Sequence, residues 1–223
     1  MAIFLRPTIA VLLVVIFVMA GTAGGPAYGR EASLMAALAE VRADRPNLTQ
    51  AVALLTILGG AYVTLTLAGV AAIWLLARGR RGSALLLAAT VLIERLMVDG
   101  LKEWLGRARP PLEALLLPHS LAFPSGHAAN SMTAFLATAL IVTPPAHRRA
   151  AALLAILLSA AVGLTRVFLG VHWPSDVVGG WALGLLSVAA AMVIGERSGT
   201  LRLEPQHEIV RRHGPESDKD EAA

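Results

Sequence analysis

Apolar residues run along this chain in long blocks, separated by short clusters of polar positions. Six blocks are candidates for helices that cross a bilayer: 8–23, 51–77, 83–98, 128–142, 150–164 and 177–194. A spanning helix needs about 20 mostly apolar residues, so several blocks reach that length only with their small polar flanks. Gly and Ala recur in all six, as expected where helices approach closely inside lipid. The breaks at Arg78-Gly79-Arg80-Arg81-Gly82 and Pro144-Pro145 separate the second block from the third and the fourth from the fifth. Between the first two blocks lies a mixed segment, 24–50, in which Leu34, Leu38 and Val41 recur at helical spacing. That spacing predicts a short helix lying on the membrane surface, with a solvated loop as the alternative.

Composition sharpens the reading. Of 223 residues, 56% are hydrophobic and 15% charged, against roughly 45–50% and about 25% in soluble domains. Such a chain needs lipid to cover its apolar surface, which excludes both disorder and an ordinary water-soluble globule. The absence of cysteine excludes a disulfide framework and thiolate metal sites. Arg6, the first apolar block and Gly21-Thr22-Ala23 also resemble a cleavable signal peptide; the expectation here is a retained first helix. The net charge of +4 is uneven, because the last 28 residues hold seven acids and five bases.

Lys and Arg in the connectors set orientation. With the N-terminus inside, eleven bases fall inside (Arg6, Arg78, Arg80, Arg81, Arg148, Arg149 and five in the tail) and seven outside (Arg30, Arg42, Arg45, Lys102, Arg107, Arg109, Arg166). Both termini are therefore expected in the cytoplasm, with Trp104 and Trp173 at the outer interface and Trp74 at the inner one. The expected fold is all-α: an integral membrane six-helix bundle with a short extracytoplasmic surface helix. It would occupy residues 1–195, followed by a charged cytoplasmic tail at 196–223.

Polar residues of the apolar body gather in three clusters, all assigned to the outer face by this topology. They are Lys102 to Pro110, Pro124-Ser125-Gly126-His127, and Thr165 to Asp176. Lys102, Arg109 and Arg166 bring three cations together with little acid, suited to phosphate oxygens. Ser125 and Gly126 at a helix start offer backbone N–H groups and the positive end of a helix dipole to an anion. His172 has Asp176 four residues on, a carboxylate able to hold the imidazole in one tautomer. His127 is placed to donate a proton to a departing oxygen. Each cluster alone has a plain reading: a basic flank, a turn with an N-cap, a structural His–Asp pair. Their co-location is what those readings leave unexplained.

The three clusters resemble the signature of the type 2 phosphatidic acid phosphatase superfamily. This chain reads K-x6-R-P at 102–110, P-S-G-H at 124–127 and T-R-x5-H-x3-D at 165–176. Thr165 replaces the usual serine, which is expected to alter packing at the phosphate rim without removing activity. The resemblance implies that His172 attacks phosphorus to form a phosphohistidine, Asp176 fixes its ring, and His127 protonates the leaving oxygen and then activates water. It implies phosphate binding by Lys102, Arg109, Ser125, Gly126 and Arg166, with no metal and no cofactor. The partners expected are the bilayer and a lipid phosphate, with undecaprenyl diphosphate first, phosphatidylglycerophosphate, phosphatidic acid and lipid A phosphate behind it, and no nucleic acid. Competing readings are a metal site using His119, His127, His172 and Asp176, a vanadate-dependent haloperoxidase, and an anion transporter or channel. Within the third block, Arg95 and Asp99 are expected to pair four residues apart.

Overall fold

In the computed structural model, residues 7–25, 29–111 and 121–201 are described. They form eight α-helices: α1 Pro7–Ala23, α2 Gly29–Asp44, α3 Pro46–Thr56, α4 Ala61–Ala77, α5 Arg81–Leu105, α6 Gly126–Val142, α7 Pro145–Phe168 and α8 Pro174–Arg197. No strand occurs among the described residues. His119 and the tail beyond residue 201 lie outside them.

Helices occur at all six apolar blocks and within the 24–50 segment, with one division. The block at 51–77 is not a single helix. A 3-10 turn at Ile57–Gly59 and an extended Gly60 (φ −70°, ψ 160°) split it, and the two arms bend by 40°. A Cβ at Gly59 would run into Val162 Cγ1 and stand 3.1 Å from the His127 carbonyl. Glycine therefore lets this break close onto α6 and α7, where a continuous helix with side chains would not fit. The fold thus has one helix more than expected, and the extra boundary faces the polar clusters.

Two helices, α7 and α8, are each long and apolar enough to cross a membrane, and the bent α3–α4 pair together passes the same test; α1 and α6 are shorter apolar helices. The interior holds Leu75, Leu87, Leu136, Ile141, Val188 and Met192, from α4, α5, α6 and α8. The α6–α8 contact is close because glycines line it. Cβ atoms at Gly180 and Gly184 would stand 2.7 Å from the Ser125 carbonyl and 2.8 Å from Met132 Cβ.

Two smaller expectations change. Trp173 is no interface anchor; it is buried with Met35, Ala128, Val167 and Val177, and its Nε1 donates to the Ala108 carbonyl at 3.0 Å. In α2, Met35 and Arg42 are buried while Leu34 and Val41 stay exposed, so the docked face is offset from the predicted apolar stripe. The Arg95–Asp99 pair does not form: Asp99 is exposed, and Arg95 Nη1 is buried without a hydrogen-bond partner.

Candidate active site

The helices run past their apolar blocks at one end of the bundle, and these extra turns carry the polar clusters. The last turn of α5 holds Lys102, and Gly106 (φ 60°) ends the helix with its N–H on the Lys102 carbonyl. That left-handed cap turns the chain back so that Arg107 and Arg109 re-enter the bundle. At the start of α6, Ser125 is the N-cap and makes no side-chain cap bond; its buried Oγ has no partner. The first backbone N–H groups of a helix also lack intrahelical acceptors. A Cβ on Gly126 would lie 3.8 Å from Lys102 Nζ, so the lysine ends beside these N–H groups. Gly170 (φ 77°) ends α7, the Val171 N–H donates to the Arg166 carbonyl, and the chain reverses into His172. Arg42 of α2 secures this reversal, its Nη1 donating to the Phe168 carbonyl at 2.6 Å.

Asp176 sits in the first turn of α8, where Pro174 opens the helix. Its Oδ2 accepts the Trp173 N–H at 2.9 Å and lies 3.4 Å from His172 Nδ1. That gap is in ion-pair range but long for a formed N–H···O bond, and Nδ1 has no other hydrogen-bond partner. On the opposite edge of the ring, Arg109 Nη1 donates to Nε2 at 3.2 Å and also to the Val171 carbonyl. A guanidinium offers no acceptor, so this contact favours the tautomer with the lone pair on Nε2 and the proton on Nδ1, facing Asp176; the Ala122 backbone also hydrogen-bonds the ring. Burial, followed by the charges of Arg109, Arg166 and Lys102, holds His172 well below its ordinary pKa. The buried imidazole is therefore neutral near pH 7.

All eight predicted site residues lie at this end of the molecule, and the structure joins them through neighbours. Arg166 is buried with Nη1 on Thr56 Oγ1 at 3.0 Å, while its Nε has no partner. His127 is reached from the helix break: a Cβ on Gly60 would lie 3.9 Å from its Nε2. The Ser125 N–H donates to the Asp176 carbonyl at 2.9 Å, tying the starts of α6 and α8. Thr165 directs its hydroxyl to the Val162 carbonyl of its own helix. Among the described residues, no group of three or more His, Asp and Glu is arranged to hold a metal. The resulting site gathers cationic and N–H donors around a neutral, buried imidazole backed by a carboxylate. That arrangement can bind a tetrahedral anion and attack it.

Sequence reading missed Thr56, Arg42, Arg107 and Glu31. Thr56 and Arg42 act on Arg166 and its helix end from elements far away in the chain, and their spacing carries no signal. Arg107 differs, because it lies two residues before Arg109 inside the first cluster.

A model of the PAP2 superfamily matches residues 83–199, from α5 through α8. The chain is 39% identical to phosphatidylglycerophosphatase B of Bacillus subtilis over 42% of its own length and 48% of the relative's. It therefore spans about half the length of that relative. It is 33% identical to a decaprenylphosphoryl-5-phosphoribose phosphatase of Mycobacterium tuberculosis over 69% of this chain and 84% of that one. Among solved structures it resembles a transmembrane PAP2-type phosphatidylglycerolphosphate phosphatase from Bacillus subtilis, with TM-score 0.77 and 28% identity, covering 84% of this chain and 96% of that one.

Proposed function

The chain belongs to the PAP2 superfamily, and from that premise we propose that it is an integral membrane lipid phosphatase working through a phosphohistidine. The observation that supports this most is the Arg109–His172–Asp176 line, which sets a neutral ring nitrogen against a phosphate-binding guanidinium. His172 Nε2 attacks the terminal phosphorus and the bond from that phosphorus to its leaving oxygen breaks; this is the lipid oxygen in a monoester and the bridging oxygen, carried away on the lipid monophosphate, in a diphosphate. His127 gives that oxygen its proton. Water then attacks the phosphohistidine, His127 takes the proton back, and orthophosphate leaves with His172 restored. Lys102, Arg109, Arg166, Ser125 and the Gly126 N–H hold the phosphoryl oxygens and stabilise the charge that builds in each transition state. The cations neutralise that charge without a divalent metal.

For topology, the reading is six crossings (α1, the α3–α4 pair, α5, α6, α7 and α8), with α2 on the outer surface of a bacterial inner membrane. Both termini are cytoplasmic, the site faces outward, residues 1–195 form the catalytic body and 196–223 a cytoplasmic tail. The first choice of substrate is undecaprenyl diphosphate. Its support is the outward face and the polyprenyl substrate named in the Mycobacterium tuberculosis relative. Phosphatidylglycerophosphate is the second reading, favoured by the Bacillus subtilis relative and structure.

The test is phosphate release in detergent from undecaprenyl diphosphate, phosphatidylglycerophosphate, phosphatidic acid and lipid A, by the native protein and by His172→Ala. Release that requires His172, highest on the polyprenyl diphosphate, is the expected result. No release from any lipid overturns the phosphatase reading, and equal release by the variant overturns the nucleophile.

A further inference from the structure

Arg107 is not one of the motif residues, yet partners from three parts of the chain converge on its guanidinium. Nη1 donates to Ser175 Oγ at 3.0 Å and to Asp176 Oδ1 at 2.9 Å. Nη2 donates to the carbonyls of Ala20, at 2.9 Å, and Gly21, the last turn of α1. Its plane covers the Phe123 ring at 4.5 Å. Glu31 of α2 holds the same assembly from the other side, accepting from Ser175 N–H at 2.8 Å, Ser175 Oγ at 3.0 Å and Gly25 N–H at 2.7 Å.

The two oxygens of Asp176 have separate partners. Oδ2 takes the Trp173 N–H and faces His172, whereas Oδ1 takes Arg107. The carboxylate is fully buried, and a buried anion with one oxygen bare is costly and free to rotate. Pairing Oδ1 keeps the group ionised and fixes the direction in which Oδ2 points. An ionised, fixed carboxylate holds the His172 proton on Nδ1 and stabilises the charge the ring gains on attack.

Resting on the roles proposed above for His172 and Asp176, we infer that Arg107 is a positioning residue that acts on His172 through Asp176. The end of α1 and Glu31 anchor it. Part of the catalytic geometry therefore comes from the N-terminal helices, which lie outside the 83–199 region matched by the family. The charged groups around Asp176 are Arg107 and Arg109 from the α5–α6 connector, Lys102 from α5, His172 from the α7–α8 connector, and Glu31 one residue away on Ser175.

A double-mutant cycle tests this, with kcat, KM and the orthophosphate inhibition constant measured for Arg107→Gln, Asp176→Asn and the pair. Arg107→Gln is expected to lower kcat on the order of 10- to 100-fold while orthophosphate affinity stays within about threefold. In the Asp176→Asn background the same change is expected to cost little further. Arg107→Lys, which keeps the charge and can reach one or two partners, should recover part of kcat and keeps the test open if the glutamine variant folds poorly. Full additivity in the cycle overturns the inference, as does a loss of orthophosphate affinity equal to that of Arg109→Gln. A native protein without phosphatase activity would instead overturn the reading beneath it, whereas native activity with unchanged kcat in both Arg107 variants overturns the inference alone.

Discussion

Nη1 of Arg109 stands 3.2 Å from Nε2 of His172. In the proposed mechanism a phosphoryl oxygen that accepts from this guanidinium is delivered beside the lone pair that attacks phosphorus, so one contact couples binding to alignment. The same side chain reaches the Val171 and Leu121 carbonyls, which fix the fork to the connectors on either side.

Arg109→Lys keeps the charge and loses the fork. It is expected to lower kcat/KM by about 10²–10³-fold, the scale of removing one oxyanion donor. Kinetics on a soluble aryl phosphate would measure this, and a loss below threefold would show that charge alone suffices.

The depressed pKa of His172 gives a signed pH prediction. Burial and three cations disfavour the imidazolium, so the proposed nucleophile stays neutral as pH falls through 6.5, the ordinary histidine value. Activity should be lost only further into acid. Lys102→Gln removes one cation and should move the acid limb upward, toward 6.5. A native limb at or above 6.5 after correction for substrate ionisation, or a downward shift in the variant, contradicts the assignment.

Thr56 tests whether the broken helix serves the site. Its hydroxyl accepts from Arg166 Nη1, and both side chains are buried. Thr56→Val leaves that donor unpaired, a change costing about 1–3 kcal/mol. The expected result is a lowered melting temperature with weaker orthophosphate inhibition. Unchanged inhibition would mean that Arg166 holds its place without the break.

The apolar pattern located nearly every helix because burial in lipid demands it. It placed the site-end boundaries of α5, α6, α7 and α8 short of Lys102, His127, Arg166 and Asp176. Those residues continue their helices as polar turns, and hydropathy stops where the polar turns begin. The break at Gly59-Gly60 was hidden for the opposite reason, since its flanks are apolar on both sides. Its cause lies in Val162 and His127, which are distant in sequence. The three motifs were legible because they are short and local, and their residues gather at one end of the fold. Arg107 escaped notice although it lies among them, because its partners in α1 and α8 are visible only once the chain is folded.

Metal chelation is a direct test of the charge argument. In the proposed mechanism Lys102, Arg109 and Arg166 neutralise the phosphate, so EDTA is expected to leave turnover unchanged. Loss with EDTA and recovery with Mg²⁺ would require a metal in the mechanism.

The role of His127 is tested by the leaving group. Its Nε2 faces the notch at Gly60, on the side of α3 and α4. An alkyl phosphate departs as an alkoxide and needs a proton in the transition state. An activated aryl phosphate departs as a stable phenolate and needs it far less. General acid help is typically worth about 10²–10⁴-fold. His127→Ala should therefore lose at least a hundredfold more on an alkyl monoester than on an aryl phosphate of matched hydrophobicity. Single-turnover measurements isolate the first displacement, where that proton is given, from the second, where His127 acts on water. Equal losses on both substrates in that first step would assign His127 to phosphate binding and leave the departing oxygen to another donor.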